Sequence, residues 1–392
     1  MALRIMGEQN LEGPITMSNN LVVVLPGIMG SKLEVNTSGG TTPLWSEDGY
    51  DIVTGLLTRP AEYQYSTPNN VRATSILERV NFKGVPIDNF YSRLLTELRL
   101  LNSKGQFDLE EFAYDWRGDI CNIARNLGDI LVAKHGFTRD AAGHQEQESK
   151  KRLTLIAHSM GGLVAAIALV RGYVNPSNVK RLICIGTPFF GAPAAFRGLY
   201  STGYLPGLKW FQTIITPRKN RRAVRDAMMR AMQSFPSAHQ PLPPSAQTFV
   251  QISGNGHINP LAGNIVPGHM KAAAQQAHLF LSQVETILIN NNVDFRLIYG
   301  EASRKGFFRA LRNAHKDTDY QFDASVGPTL MGGATYVIRR TDRTVGDGTV
   351  PVNSAALNNP GDPQTRFGVV GVSHANMCND KHVVNLVKQW IP

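Results

Sequence analysis

Short apolar runs alternate along this chain with longer segments whose apolar positions recur at helical spacing. The runs have the length and the aliphatic, β-branched composition of buried strands. Predicted strands lie at 21–27, 107–116, 153–157, 181–186, 295–300, 334–340 and 367–372. Four helices are predicted: one after a cap at Asp88 or Asn89, one from near Ile120, one after the strand at 153–157, and one at the end of the chain from 383 to 390. Strands that alternate with helices predict an α/β protein with a mostly parallel, doubly wound sheet.

Two segments interrupt this alternation. Residues 38–85 are rich in Gly, Thr, Pro and Asn, which predicts a long excursion with little regular structure. From 188 to 290, aromatic residues, prolines and basic residues crowd together, as in an insertion over the carboxyl edge of the sheet. The expected parts are an N-terminal extension over 1–20, a core over 21–190 and 291–392, and an inserted cap or lid region over 191–290.

The strand at 153–157 ends abruptly in AHSMGG, where Ser159 stands at a corner between strand and helix. The residues from Ala157 to Gly161 are a variant of the G-x-S-x-G nucleophile elbow, which presents the serine hydroxyl at the edge of the sheet. The positions two before and two after the serine must be small. Gly161 meets that need, and Ala157 departs from it by one methyl group, which is tolerable. Gly162 allows the new helix to pack closely on the strand. We expect Ser159 to be a nucleophile; the alternative is a serine that only caps the helix.

A nucleophilic serine needs a base, and the base needs an acid that orients it, in the chain order Ser, Asp or Glu, His. His374 follows the last predicted strand in a loop, which places it at the carboxyl edge beside the serine. His382 is disfavoured because it lies inside the closing helix. For the acid, Asp347 in the tight loop GDGTVP and Glu301 directly after a strand are both open.

The oxyanion formed during acyl transfer needs two backbone N–H donors. We expect one donor from Met160, which directly follows the serine at the positive end of a helix. The other is expected from Ile28, in the loop PGIMG after the first strand.

Composition narrows the partners and the compartment. The 392 residues carry a net charge of +10, and no nucleic-acid motif accompanies it. An acidic lipid or membrane surface is therefore expected rather than nucleic acid. The alternative is that the charge only keeps the protein soluble. The three cysteines are far apart and make neither a disulfide framework nor a metal pattern, so no metal and no cofactor are expected. No apolar run reaches the roughly 18 residues that span a bilayer, and residues 1–20 lack a secretory signal. The expected location is cytoplasmic, with a peripheral position at the membrane as the variant.

Several motifs follow one another in a recognisable order. They are VVVLPGIMGSKLE (22–34), Trp45, FAYDWR (112–117), AHSMGG (157–162), IGTPFFGAP (185–193), SFPSAHQPLPP (234–244), GDGTVPVNS (346–354) and SHANM (373–377). This series resembles the lecithin:cholesterol acyltransferase family of α/β-hydrolases, which includes lysosomal-type phospholipases and bacterial lipase-like proteins. The resemblance runs from about residue 20 to the end and implies an α/β-hydrolase fold. It also implies a triad of Ser159, Asp347 and His374, and thus favours Asp347 over Glu301. Asp115, Trp116 and Arg117 are expected to be structural, through an ion pair and packing.

The combined prediction is a serine hydrolase that cleaves carboxylic esters of lipids, with phospholipids as the expected class and acyltransferase activity left open. Trp210 and Phe211 precede a basic stretch, and Met228 and Met229 lie within it. These four residues are candidates for lid or substrate contacts, with core packing as the alternative. Two other hypotheses are an esterase or thioesterase for a soluble small molecule and a catalytically silent binding protein. Whether a protein partner or activator opens the lid is open as well.

Overall fold

The computed structural model describes residues 18–66, 70–148, 151–202, 215–245, 250–252, 256–301, 319–322, 336–339, 346–357 and 364–391. Within these residues the strands are β1 (Asn20–Leu25), β2 (Ser31–Thr37), β3 (Gly40–Trp45), β4 (Val71–Ile76), β5 (Arg79–Phe82), β6 (Val85–Asn89), β7 (Asp108–Glu111), β8 (Arg152–His158), β9 (Val179–Ile185), β10 (Val250–Ile252), β11 (Gly256–Ile258), β12 (Asp294–Glu301), β13 (Asp319–Phe322), β14 (Tyr336–Arg339) and β15 (Arg366–Val370). The α-helices are α1 (Gly49–Thr58), α2 (Ser92–Ser103), α3 (Ile120–His135), α4 (Met160–Val170), α5 (Pro193–Arg197), α6 (Arg221–Gln233), α7 (Pro236–His239), α8 (Gly268–Leu281), α9 (Val284–Asn290), α10 (Val352–Ala355) and α11 (Lys381–Trp390).

A parallel sheet of six strands forms the centre, in the order β7-β1-β8-β9-β12-β15. Strands β1, β8 and β9 are mostly apolar and mostly buried because both faces of the sheet are covered. The register pairs Leu25 with Ala157 and His158 with Ile185, so these three strands end at one edge. The predicted α/β class with a mostly parallel central sheet is confirmed.

Helix α4 is the packing centre of one layer. Its residues from Met160 to Leu169 are all buried, as expected of a helix that is apolar all round. It contacts α3, α8 and α9. Helices α8 and α9 lie in the region that was predicted to be an insertion (191–290), and they pack against α4 of the core. The boundaries of the predicted parts stay a prediction.

The prediction for residues 38–85 is wrong, because this segment contains β3, β4, β5, the first residue of β6, and α1. Strands β2, β3 and β4 form an antiparallel sheet, and β5 pairs with β6. Strand β4 alternates between half-buried and exposed positions, which is the pattern of a strand with one solvated face. Its sequence, VRATSI, lacks the long apolar run on which the prediction of strands depended.

Three other predicted elements are corrected in extent or position. The strand predicted at 107–116 is only β7, four residues long. The strand predicted at 334–340 is β14, which pairs antiparallel with β10 and β13 outside the central sheet. Helix α2 begins after Tyr91 rather than after a cap at Asp88 or Asn89.

Candidate active site

Ser159 lies between β8 and α4 in a strained backbone conformation. Its φ of 53° and ψ of −123° fall outside the regions that residues with a Cβ ordinarily occupy. The turn is held because the Ser159 N–H donates to Ile185 O at 2.8 Å and the Gly162 N–H donates to Ser159 O at 3.0 Å. The hydroxyl makes no hydrogen bond to the first turn of α4. The alternative of a helix-capping serine therefore does not describe this side chain.

Two glycines permit the close crossing at this corner. A Cβ on Gly161 would lie 2.4 Å from Leu25 O and 2.6 Å from Pro26 O, at the end of β1. A Cβ on Gly162 would lie 1.9 Å from Thr187 Oγ1. The helix that begins after Ser159 thus packs directly against the backbone of the neighbouring strand, which only glycine allows.

The histidine and the aspartate reach the serine from two other loops. His374 opens a 3₁₀-helix (His374–Asn379) after β15, and its Nε2 lies 2.8 Å from Ser159 Oγ. Its Nδ1 lies 2.7 Å from Asp347 Oδ2. The other carboxylate oxygen of Asp347 accepts the N–H groups of Thr349 at 2.9 Å and Val350 at 2.7 Å. The His374 N–H also donates to Asp347 O at 3.0 Å, so backbone and side chain both join the two loops.

The disfavoured candidates lie elsewhere. Glu301, at the end of β12, lies beside Tyr299 and Gly368. His382 is exposed in the first turn of α11, where its N–H donates to the carboxylate of Asp380. The structure therefore brings Ser159, Asp347 and His374 together and leaves both alternatives outside the cluster.

The backbone N–H groups of Ile28 and Met160 are available beside the serine. Both residues line the same cavity as Ser159. Met160 is the first residue of α4, where an N–H has no partner within the helix. The Ile28 loop is a tight turn, with a bond from Gly30 N to Gly27 O at 3.0 Å. Within the described part of the chain neither N–H donates to another group, so both can donate to an oxyanion.

Ser159 and His374 line an apolar cavity of about 970 Å³, open mouth included. Most of the lining comes from two chain segments, 27–91 and 188–241. Its larger apolar side chains are those of Met29, Trp45, Leu77, Val80, Phe90 and Met232. A concave apolar site with a few polar groups at one point is the usual form of a small-molecule site.

The other predicted contact residues have mixed outcomes. Met228 and Met229 are buried in α6, and it is Met232 of that helix that lines the cavity. Trp210 and Phe211 lie outside the described residues. Arg117 is 1% exposed and pairs with Asp115 at 2.8 Å, away from the cavity lining.

Sequence reasoning missed the residues that the segment from β4 to α2 contributes. Leu77, Val80, Phe90 and Tyr91 line the cavity, but no role was predicted for them. The nearest available signal was the apolar and aromatic character of the ends of β4 and β6. It did not indicate that these ends reach the serine.

The described residues were also compared with the requirements of a metal site and of a membrane-spanning helix. No group of three or more His, Cys, Asp or Glu within the described ranges is placed to hold a metal ion. No helix in those ranges is long and apolar enough to span a bilayer.

Comparison with known proteins found a matching family model, two similar plant proteins and a similar solved structure. Residues 17–205 match the family described as PGAP1-like alpha/beta domain. Phospholipase A(1) LCAT3 of Arabidopsis thaliana is 24% identical over 315 residues, which cover 71% of this chain and 65% of the relative's length. Lecithin-cholesterol acyltransferase-like 4 of the same plant is 21% identical over 445 residues, covering 100% and 78%. Among solved structures, a chain of the Tle4-Tli4 complex has 13% identity and a TM-score of 0.49, with 96% and 100% covered.

The similarity predicted from the motifs is confirmed by the two plant relatives. The fold is that of an α/β-hydrolase, as predicted. The match spans 65% of the length of the plant phospholipase, slightly less than two thirds. The cytoplasmic location stays a prediction.

Proposed function

We propose that this hydrolase-type enzyme, which carries a PGAP1-like alpha/beta domain in residues 17–205, cleaves the carboxylic esters of lipids with Ser159 as nucleophile. The observation that supports this most directly is the continuous chain from Ser159 Oγ through His374 to Asp347, with distances of 2.8 and 2.7 Å. The chain opens into an apolar cavity, where an acyl group has favourable surroundings.

The reaction follows from the order of these atoms. Ser159 Oγ attacks the ester carbonyl carbon while its proton passes to His374 Nε2. The carboxylate of Asp347 holds the imidazole through Nδ1 and stabilises the imidazolium that forms. The proton on Nε2 then goes to the leaving alcohol oxygen, and an acyl-enzyme remains. Water then attacks the acyl carbon and gives its proton to Nε2. That proton passes to Ser159 Oγ as the bond between Oγ and the acyl carbon breaks, which releases the fatty acid and restores the serine.

The two unpartnered amides supply the oxyanion site in this proposal. The N–H groups of Ile28 and Met160 would donate to the carbonyl oxygen as its negative charge develops. Fixed donors in a site that excludes water contribute more to such stabilisation than donors in bulk water. The N-terminus of α4 adds positive potential at the same point.

A lipid substrate is supported by the lining and by the relatives. Nearly all of the cavity wall is apolar, which favours an acyl chain over a polar group. One relative is named a phospholipase A(1), and another is named acyltransferase-like. Transfer of the acyl group to an alcohol instead of water uses the same acyl-enzyme and differs only in the second nucleophile.

The surface near the cavity suggests how a lipid aggregate is met. Exposed basic residues lie on α6, which contributes Met232 to the cavity, and on the 3₁₀-turn that precedes it (Arg218–Asn220). They are Arg218, Lys219, Arg222 and Arg230. With a net charge of +10, this surface favours an anionic bilayer as the site of peripheral binding.

The test compares the wild type with Ser159→Ala on acyl esters of increasing chain length, below and above their aggregation thresholds. Zwitterionic and anionic phospholipid vesicles are included. We expect hydrolysis of long-chain esters and vesicles, a loss of about 10³- to 10⁶-fold in the variant, and faster hydrolysis of anionic vesicles at low salt. Ser177→Ala is the control. Ser177 is exposed in the turn before β9 and does not line the cavity, so this variant should retain full activity.

Other outcomes point elsewhere. Activity limited to short soluble esters would replace the lipid substrate with a small molecule. Full activity in Ser159→Ala would reject this nucleophile. Silence on every ester in a folded protein would favour a binding role or a missing activator.

A further inference from the structure

A second buried histidine lies directly before the nucleophile, and the reaction described above does not use it. His158 Nδ1 lies 2.7 Å from Tyr91 Oη, and His158 Nε2 lies 3.1 Å from the backbone oxygen of His374. The Tyr91 hydroxyl in turn accepts the Gly27 N–H at 2.8 Å. His158 is 7% exposed and Tyr91 is 4% exposed, so the chain of bonds is shielded from water.

The proton positions in this chain follow from the chemistry of its ends. A carbonyl oxygen only accepts, so His158 Nε2 must carry the hydrogen that reaches His374 O. Burial, and secondarily the nearby His374 ring, lower the pKa of His158 to about 3, so the imidazole is neutral at pH 7. Nδ1 is then bare and accepts from the Tyr91 hydroxyl. The hydroxyl accepts from Gly27, so each of the three donors in the chain has one acceptor.

The chain joins three parts of the proposed site. Gly27 directly precedes Ile28, whose N–H is the proposed oxyanion donor. His158 directly precedes Ser159, and His374 is the proposed base. The loop of Gly27 is also pressed against the elbow, because a Cβ there would lie 2.9 Å from Ser159 Cβ and 3.3 Å from His158 Nδ1.

We propose that His158 is a positioning residue that fixes the oxyanion loop and the backbone of His374 relative to Ser159. This proposal rests on the proposed function. The neutral ring accepts on the side of Tyr91 and donates on the side of His374, so it ties two loops from opposite ends of the chain to the elbow. The packing of the His158 and His374 rings, with centroids 4.9 Å apart, adds to the same fixation.

Two substitutions of His158 each remove only one of its two hydrogen bonds, the one with Tyr91 or the one with His374. The amide oxygen of Asn stands the same number of bonds from Cα as Nδ1, so His158→Asn keeps an acceptor for Tyr91 and loses the donor to His374. The amide nitrogen of Gln stands as far as Nε2, so His158→Gln keeps that donor and loses the acceptor. His158→Phe keeps ring packing and loses both bonds.

The expected result is a loss in kcat with little change in KM, because the loops are displaced while the cavity is retained. We expect His158→Phe to lower kcat by about 10- to 100-fold, as for other residues that orient catalytic groups. The kcat values of His158→Asn and His158→Gln should lie between those of His158→Phe and the wild type. Tyr91→Phe should lower kcat alone but add little to His158→Phe, because both remove the same chain.

The measurements are kcat and KM on a short-chain ester, the rate of fluorophosphonate labelling at Ser159, and thermal unfolding of each variant. Tyr63→Phe is the matched control, since Tyr63 is a buried tyrosine whose hydroxyl donates to Ile52 O outside the cavity. It should keep kcat while losing a comparable amount of stability.

The result separates two kinds of failure. Full activity in Ser159→Ala overturns the proposed function itself. Loss of activity in Ser159→Ala together with unchanged kcat in all three His158 variants overturns only the positioning role. A fall in kcat that matches the control Tyr63→Phe overturns it too, because that fall reflects general loosening.

Discussion

Ser159 shows how much of this site depends on single residues placed against local preference. Its positive φ is a conformation that a residue with a Cβ rarely adopts, and two backbone hydrogen bonds hold it there. The strained turn directs the hydroxyl away from the α4 terminus and toward His374 Nε2. The ring of the adjacent residue, His158, bonds to Tyr91 and packs against the His374 ring.

At the residue scale we predict that Asp347→Asn lowers kcat by about 10²- to 10⁴-fold with little change in KM. The amide cannot stabilise the imidazolium, and its NH₂ group opposes the correct tautomer of His374. Steady-state kinetics on a short ester measures the effect.

Glu301→Gln is the matched control, because it makes the same chemical change at the acid that the sequence left open. It lies beside Tyr299 and Gly368, so its activity should stay near that of wild type. A large loss in Glu301→Gln with none in Asp347→Asn would exchange the two assignments.

Residues that belong to a local motif were the ones sequence analysis found. The elbow is written within a few residues, and the chain order of serine, acid and histidine limits the candidates that follow. The choice between Asp347 and Glu301 needed the family resemblance, because it depends on the path of a loop. The bond between Tyr91 and His158 spans 67 positions and has no local signature.

At the element scale, the crossing of α4 over the end of β1 determines how the elbow and the oxyanion loop meet. Only hydrogen atoms fit where Gly161 faces Leu25 O and Pro26 O. Those oxygens belong to backbone, which cannot move without shifting the residues that lead to Ile28. The packing of two elements and the geometry of the oxyanion donor are therefore linked.

We predict that Gly161→Ala lowers the free energy of unfolding by about 1–3 kcal/mol, since the overpacking outweighs the gain of about 1 kcal/mol in helix propensity. It should also reduce kcat, because the loop before Ile28 shifts. Urea unfolding and steady-state kinetics give the two quantities.

Gly268→Ala provides the contrast within another helix. A Cβ on Gly268, the first residue of α8, meets nothing within 4 Å. We expect this variant to be neutral or more stable by up to about 1 kcal/mol. Equal stability losses in the two variants would contradict the steric account.

Elements with both faces buried were predictable, and those with one wet face were not. Strands β1, β8 and β9 appear in the sequence as predominantly apolar segments because helices cover both sides of the sheet. Strands β2 to β6 are short, rich in polar residues and paired locally, so their pattern resembles a loop. This segment supplies much of the cavity wall, and the sequence therefore indicated the chemistry better than the substrate site.

At the scale of the whole molecule, buried neutral histidines make stability depend on pH. Desolvation lowers the pKa of His158 to about 3 and that of His239 to about 4. In the unfolded chain both titrate near 6.5, so the unfolded state binds more protons as the pH falls below that value. Their contribution to stability is complete above about pH 6.5 and declines toward their folded pKa values.

We predict that the free energy of unfolding falls between about pH 6.5 and pH 4, by up to about 1.4 kcal/mol per pH unit for each such histidine. Urea unfolding at a series of pH values measures the slope. His239→Gln removes one of these groups without touching the proposed site and should flatten the curve. A stability that stays constant from pH 7 to 4.5, or a slope unchanged in His239→Gln, would rule out this source of acid sensitivity.

The cavity and the reacting groups have separate origins in the chain. Loops at the carboxyl edge of the central sheet hold Ser159, Asp347 and His374, whereas most of the apolar wall comes from 27–91 and 188–241. Substitutions at wall positions other than Gly27, Ile28 and Tyr91 can therefore change which ester fits without disturbing the strands that position the three groups. Variant libraries confined to wall positions such as Leu77, Val80 and Met232 would therefore change the substrate specificity of the enzyme and leave the three reacting groups unchanged.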